Sequence, residues 1–439
     1  MSSTTVTIRP APTGMQGAIT LPGDKSISHR SVMFAAIARG ESHILNYSGG
    51  GDNRSTIGAF RTLGVDITQS GTEIHVKGRG WSGLQAPQQT IDCGNSGTTM
   101  RLLSGLLAAR PFLSRLDGDE SLRSRPMGRV IGPLTEMGAD IVGESESGDN
   151  RAPLRITGKS LHGISYRSAV ASAQVKSAIV LAGLQASGTT TVWEPVRSRD
   201  HTERMLPSFG VHLQVKGTEI SIAGGQELRA CDVEVPGDLS SAAFFIGAAL
   251  ILPDSELQVH GIGLNPTRTG VLDVLRAMGG SIAVQNLREV CGEPVGDLLV
   301  RPSPLHGIPM DGELVVRAID EIPLLVVVAA FAQGTTTIRG AEELRVKESD
   351  RLHALAVTLQ TLGARITELP DGLIIEGGYD LHGGRVDSLG DHRIAMALSI
   401  AGLAGTGEVV VERAESVGIS FPSFYSLVRD LTGPTTVHA

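Results

Sequence analysis

Cationic side chains recur beside glycines and hydroxyls at a few points of the chain. Lys25, Ser26 and Arg30 stand in GDKSISHR, Asn95, Gly97, Thr98 and Arg101 in GNSGTTMR, and Ser172, Ala173, Gln174 and Lys176 in SAQVKSA. Arg125 lies in SRPMGR, Arg199 in SRDHTE, Lys347, Glu348 and Arg351 in RVKESDRL, and Arg393 in GDHRIAM. Glycine lets a backbone approach an anion closely, and guanidinium forks fit phosphate and carboxylate oxygens. These segments therefore predict a pocket for a small molecule carrying several negative charges. Asp320 and Glu321, in IDEIP, supply carboxylates before a very apolar run, and Asp320 is a candidate base if it faces such a pocket.

Each motif also has a plainer reading. GNSG suits an ordinary helix N-cap, and RVKESDRL suits a solvated face with Lys347 and Arg351 four apart on one side of a helix. Carboxylates at a helix start are normally dipole partners, and a lone His392 is more often structural. Several chemistries are excluded. GDKS lacks the spacing of a phosphate-binding P-loop. Thr98 fills the position where GxSxG needs its last glycine. No HExxH or paired-His spacing suggests a metal.

The elements that must position these residues repeat. A helical signature ending in hydrophobic-Gly-x-x-hydrophobic recurs through Gly64, Gly138, Gly210, Gly279 and Gly363, at gaps of 74, 72, 69 and 84 residues, with a degenerate sixth copy ending at Gly433. It reads as an amphipathic helix stopped at a glycine C-cap and turning into a strand. Interleaved with it are six polar clusters, each followed by an apolar helix rich in small residues, starting at Gly23, Gly94, Ala171, Gly237, Ile319 and Gly390. Helices apolar all round are buried, and free N–H groups at their starts attract anions. The unit is about 70 residues, an α/β repeat with one buried helix, one surface helix and several short strands.

Six copies divide into three and three, because LPGDKS at Leu21 and VPGDLS at Val235 echo each other. Pro-Gly-Asp is turn chemistry. The expectation is two domains, 22–235 and 1–21 plus 236–439, with hinges at 22–24 and 236–238 that close on anionic ligands. A single six-repeat solenoid is the alternative, but helices apolar all round need a domain centre.

The 439 residues suit this size, and only 19% are charged, so a large core is expected. The 55 glycines mark caps and turns, and the 3% aromatic content implies a core of Ala, Val, Ile and Leu. A net charge of −8 without a basic run argues against a nucleic-acid partner. Cys93, Cys231 and Cys291 form no CxxC pattern, which suggests a reducing cytoplasm. The apolar runs are too short to span a bilayer, and MSSTTVTIRP has no signal-peptide core.

Taken together, GDKSISHR, GNSGTTMR, RPMGR, SAQVKSA, SRDHTE, IDE, RVKESDRL and DHRIAM, in that order, resemble the enolpyruvyl transferase family over essentially the whole chain. The resemblance is to the branch acting on shikimate 3-phosphate and phosphoenolpyruvate. It implies two inside-out α/β barrels of three βαβαββ units each, no cofactor, no metal and a monomeric cytoplasmic enzyme. It implies that the 5-hydroxyl attacks C2 of phosphoenolpyruvate while C3 gains a proton, and that the tetrahedral intermediate then loses phosphate.

By that resemblance, Lys25, Ser26, Arg30, Ser172, Ala173, Gln174, Arg199, Asp320 and Lys347 bind shikimate 3-phosphate. Lys25, Asn95, Gly97, Arg125, Gln174, Arg351 and Arg393 bind phosphoenolpyruvate. Asp320 accepts the hydroxyl proton, Glu348 protonates C3, and Lys25 stabilises charge.

The chain departs from the family pattern in several places. Ile419 and Ser420 stand where a lysine often precedes the Phe-Pro pair, Glu343 where an asparagine is common, and Leu102 where proline is common. A sister branch, acting on UDP-N-acetylglucosamine, carries a cysteine just before its Arg-Pro motif. DGDESLRSRPMGR from Asp117 has none, and Cys93 reads as a small buried hydrophobe. A non-catalytic ligand-binding relative is the remaining alternative, but it would have lost some of Lys25, Arg125, Asp320, Glu348, Arg351 and Arg393, and all are present.

Overall fold

The computed structural model describes residues 4–145 and 148–438. The chain divides into two compact units. The N-terminal unit comprises Gly23–Val235 together with Val290–Glu293, and the C-terminal unit comprises Met1–Pro22, Pro236–Glu289 and Pro294–Ala439. The attachment of Val290–Glu293 to the N-terminal unit had no sequence signal. His201 shows how it is held: its Nδ1 lies 2.8 Å from Oε1 of Glu293, with both side chains buried.

One repeat shows the plan of each unit. Ile91–Asp92 runs parallel to Leu113–Asp117, which pairs antiparallel with Leu154–Thr157, which pairs antiparallel with Asp140–Gly143. The buried helix Gly97–Leu107 follows the first strand, and the surface helix Gly128–Glu136 follows the second. The order is βαβαββ. Ser165–Arg167, Thr189–Trp193, Glu219–Ala223 and Leu213–Lys216 repeat the same pairing in the next sheet.

Closure of each unit uses distant strands. In the N-terminal unit, Leu228–Arg229 and Val233–Glu234 supply the parallel partners of Ala38–Leu45. In the C-terminal unit, Gln16–Thr20 runs parallel to Glu256–Gly263, and Val6–Ile8 fits between Val409–Glu412 and Val437–His438.

The core lies along the apolar helices. Every residue from Ile27 to Ile37 of the helix Lys25–Ile37 is buried, as is every residue from Leu239 to Leu250 of Leu239–Ile251. Fully burying one large apolar side chain stabilises by about 1.5–3 kcal/mol, so these helices dominate each unit's stability. Their small residues permit close contact. A Cβ on Gly105 would lie 2.1 Å from the carbonyl oxygen of Ala178 on the neighbouring helix Ala173–Gly183. The sheets alternate around the helices: Glu73–Arg79 buries every second residue, which fits a strand with one wet face.

The surface helices end as their sequences predict. Gly64, Gly138, Gly279 and Gly363 follow them in positive-φ conformations of 82°, 98°, 100° and 92°. The third copy differs. The helix His201–Met205 is short and continues as the 3-10 turn Leu206–Phe209 before Gly210, because Pro207 cannot extend α-helical hydrogen bonding.

A second correction concerns Lys347 and Arg351. They do not share a helical face. Glu342–Val346 is a 3-10 turn, and the α-helix begins only at Arg351. Asp350 is its N-cap and accepts a hydrogen bond from His353 N at 3.1 Å.

No described helix is long and apolar enough to cross a membrane.

Candidate active site

The residues singled out by sequence fall into two groups, one in each unit. In the N-terminal unit most stand at or near the starts of three buried helices, capped by Asp24, Ser96 and Ser172, while Arg125 ends the short helix Glu120–Ser124 and Arg199 precedes the helix His201–Met205. Each cap satisfies one backbone N–H and leaves others of the first turn for solvent or an anion.

Lys25 forms an ion pair with Asp52, and its own carbonyl accepts from Asn53 Nδ2 at 3.0 Å. Five residues on, Arg30 is buried. Its Nε donates to Thr202 Oγ1 at 2.8 Å, Nη2 to Ser177 Oγ at 2.9 Å and Nη1 to the Ser26 carbonyl at 3.0 Å. All three partners are neutral. Burial and the neighbouring charge of Arg199 pull the Arg30 guanidinium down to about 10, so it stays charged at neutral pH.

A second cluster surrounds Gly97. Arg125 donates to the carbonyl oxygen and side-chain Oδ1 of Asn95 and, at 3.0 Å, to Ser121 Oγ. Arg101 donates to Gln174 Oε1, and Gln174 Nε2 donates to Thr98 Oγ1 at 2.9 Å. A Cβ added to Gly97 would stand 3.0 Å from Nη1 of Arg101 and 3.6 Å from Nη1 of Arg125. Glycine thus keeps two guanidinium groups close to a helix start. Asn95, Gly97, Arg125 and Gln174 are brought together, and Ser172 and Ala173 start the helix that carries Gln174.

Lys176 must be removed from the anion-binding cations. It is fully buried, and its Nζ lies 2.8 Å from Glu194 Oε2 and 2.8 Å from Glu203 Oε1. Those carboxylates neutralise it inside the core. Cys93 is buried, which pushes its thiol up out of the reactive range.

In the C-terminal unit the centre is Asp320, largely buried just before the helix Ile322–Phe331. Three guanidinium groups face its carboxylate: Arg268 Nη1 at 3.6 Å, Arg351 Nη1 at 4.0 Å and Arg393 Nη2 at 4.0 Å. Arg393 Nη1 also donates to the Asp320 carbonyl at 2.6 Å. Arg351 is buried, with Nε 2.8 Å from Asp391 Oδ2, and Nη2 donates to Glu348. Burial acts to lower its pKa, but Asp391 and Glu348 outweigh that and raise it. Lys347 is half-buried next to Glu348.

Arg268 was missed by sequence reasoning. It is buried, donates to Ser240 and reaches Glu321 at 3.4 Å and Asp238 at 3.9 Å. An arginine in the turn NPTRTG carries no local sign of three distant carboxylates. Among the described residues no cluster of His, Cys, Asp and Glu could hold a metal ion.

The arrangement can bind anions at three helix starts and present carboxylates to a hydroxyl or a carbon. Comparison with known proteins is consistent with this chemistry. Residues 10–427 match the family described as EPSP synthase (3-phosphoshikimate 1-carboxyvinyltransferase). The chain is 54% identical over 422 residues to a protein named 3-phosphoshikimate 1-carboxyvinyltransferase from Geobacter metallireducens, covering 96% of this chain and 98% of the relative. A protein of the same name from Geotalea uraniireducens is 52% identical over 430 residues, covering 98% of this chain and all of that protein (100%). The structure is similar to that of EPSP synthase from Acinetobacter baumannii, with a TM-score of 0.89 and 44% identity, covering 100% of this chain and 99% of that one. The enolpyruvyl transferase NikO from Streptomyces tendae, at 19% identity and a TM-score of 0.80 over 99% of this chain and 98% of its own, shares the fold.

Proposed function

Since the chain belongs to the EPSP synthase (3-phosphoshikimate 1-carboxyvinyltransferase) family and is a transferase, we propose that it moves the enolpyruvyl group of phosphoenolpyruvate to the 5-hydroxyl of shikimate 3-phosphate. Inorganic phosphate leaves, and the product feeds aromatic amino-acid biosynthesis. The observation that carries this reading is the hydrogen-bond set of Arg30 and Arg125: neutral oxygens hold both guanidinium groups, and the carboxylates that act on Arg30, Glu203, Asp24 and Glu293, lie outside that set, so an incoming anion would be a direct charged partner.

Lys25, Ser26, Arg30, Ser172, Ala173, Gln174, Arg199 and Lys347 hold shikimate 3-phosphate in this proposal. Lys25, Asn95, Gly97, Arg125, Gln174, Arg351 and Arg393 hold phosphoenolpyruvate. Asp320, also in contact with the shikimate ring, takes the 5-hydroxyl proton as its oxygen bonds to C2, and Glu348 gives a proton to C3, which becomes a methyl group. In the second half C3 returns a proton to Glu348, the C2–O bond to phosphate breaks, the departing phosphate takes the proton held by Asp320, and the double bond reforms. An anion drawn to Arg351 competes with Glu348 for that guanidinium, and a carboxylate losing its cation holds a proton more readily. Positioning and charge stabilisation supply most of the rate.

We read the protein as a cytoplasmic monomer. Its three unbridged cysteines support a reducing compartment.

Phosphate release on mixing both substrates tests the function. Release with shikimate 3-phosphate is expected. No release sinks the reading, and release only with UDP-N-acetylglucosamine installs the sister activity.

A further inference from the structure

A buried hydrogen-bond chain joins two parts of the N-terminal group. Thr99 donates to Ser96 Oγ twice, from its backbone N–H at 3.1 Å and from its hydroxyl at 2.8 Å. A hydroxyl carries one proton. Thr99 Oγ1 must therefore accept from Thr56 Oγ1, 2.7 Å away. Thr56 has then used its own proton, so it accepts from His29 Nδ1 at 2.6 Å. This order of donors assigns the His29 proton to Nδ1.

All four residues are buried. Burial, reinforced by Lys25 and Arg30 against the opposing charge of Asp52, lowers His29 to about 3, so the ring is neutral near physiological pH. Its Nε2 is then a buried acceptor with no partner among the described residues. Leaving an acceptor bare costs on the order of 1–3 kcal/mol. A phenylalanine or leucine would fill the space without that cost, so the ring's value lies in its Nδ1 donor.

The chain touches the working residues at both ends. Thr56 stands on the helix Gly51–Thr62, whose first turn carries Asp52, the ion-pair partner of Lys25, and Asn53, which donates to the Lys25 carbonyl. Ser96 caps the helix starting at Gly97 and lies between Asn95 and Gly97. Thr98, next along, accepts from Gln174.

We propose that His29 is a positioning residue: by donating from Nδ1 into the Thr56, Thr99 and Ser96 chain, it fixes the Asn95–Gly97 turn against the helix that carries Lys25. This rests on the reaction proposed above. A turn that loses this anchor presents Asn95, Gly97 and Arg125 less well to phosphoenolpyruvate, while the Arg30 and Arg199 group is untouched.

The test is steady-state kinetics in both substrates for wild type, His29→Leu, His29→Asn and Thr56→Val, with thermal unfolding of each. Wild-type phosphate release is read first; its absence removes the functional reading and this proposal with it. With an active wild type, His29→Leu and Thr56→Val should raise KM for phosphoenolpyruvate about tenfold, the equivalent of one lost hydrogen bond. KM for shikimate 3-phosphate should rise less than that for phosphoenolpyruvate, because the chain meets Lys25 and Gln174 only through intermediate residues, and kcat should stay within about twofold. His29→Asn, whose amide can donate to Thr56, should restore the KM. Should His29→Leu not fold, the near-isosteric Thr56→Val decides. An unchanged KM for phosphoenolpyruvate in Thr56→Val overturns the proposal even if its melting temperature falls. So does a His29 ring found by 15N NMR to carry its proton on Nε2.

Discussion

Arg30 and Arg351 are both buried arginines in candidate anion-binding positions, yet their surroundings differ. Arg30, in the N-terminal unit, is held by two hydroxyls and a carbonyl. Arg351, in the C-terminal unit, is held by Asp391 and Glu348, with Asp320 at 4.0 Å. Arg125 follows the first pattern, while Arg268 and Arg393 follow the second.

Burying a cation is costly, and the downward shift of Arg30, set by burial and Arg199 against the opposing charges of Glu203, Asp24 and Glu293, registers that cost. In the N-terminal group neutral oxygens make the hydrogen bonds to Arg30 and Arg125, so the proposed phosphorylated ligand would be a direct anionic partner for them. In the C-terminal group carboxylates already pair with the guanidinium groups, so the proposed ligand would compete with them. Displaced carboxylates are what a proton-moving site needs. On the roles proposed above, affinity and proton transfer would be divided between the two kinds of arginine environment.

Asp320→Ala removes the proposed base and should lower turnover by about 10²–10⁴-fold, the usual contribution of general catalysis. Phosphate release reads this in a folded variant, and near-normal turnover would remove the assignment.

Lys176→Met probes a compensated cation. It strands Glu194 and Glu203 in the core, and breaking a buried pair this way costs about 3–5 kcal/mol. Urea unfolding should show it, and an unchanged midpoint would mean that the pair is not neutralised as described.

Arg30→Met is the counterpart. Losing charge-assisted hydrogen bonds should weaken shikimate 3-phosphate binding by about 10–100-fold. Its melting temperature should hold or fall only slightly, because the buried charge that is lost has no carboxylate among its hydrogen-bond partners. A drop as large as that of Lys176→Met would erase the distinction between the two kinds of cation.

The smallest effect at neutral pH concerns His29. Its folded pKa of about 3 lies below the ordinary 6.5, so the neutral ring's contribution to stability is complete above 6.5. That contribution is lost progressively as pH falls towards 3, because the unfolded chain takes up the proton first. His29→Asn has no such proton and should lose stability less steeply across that window. Parallel acid-unfolding curves would contradict the neutral buried ring.

What the sequence made legible was local. Glycine caps after Gly64 and Gly363, all-round apolar helices such as Leu239–Ile251, and polar clusters at helix starts all follow from short-range rules. The helix starts did gather Asn95, Gly97, Arg125 and Gln174. What stayed hidden depends on pairing across the fold. Lys176 resembled its cationic neighbours until Glu194 and Glu203 were found against it. Arg268 gave no hint of its carboxylates. Periodicity suggested one helix through Lys347 and Arg351, but the Asp350 cap starts a new one. The division of arginines into compensated and uncompensated sets is likewise a long-range property that no motif records.

The strand Val6–Ile8 has a consequence for how the chain is made. Its sheet partners are Val409–Val411 and Val437–His438, so it leaves the ribosome long before they exist. All three repeats of the N-terminal unit, by contrast, can be translated before residue 236, with only Val290–Glu293 to follow. Domains generally fold as units in order of synthesis, and such non-local pairings form slowly. The N-terminal unit should thus assemble while the first strand still waits, exposed, for the last repeat. A stalled or truncated chain would carry a nearly complete N-terminal unit alongside an orphaned strand edge, a species that chaperones would have to hold until translation ends.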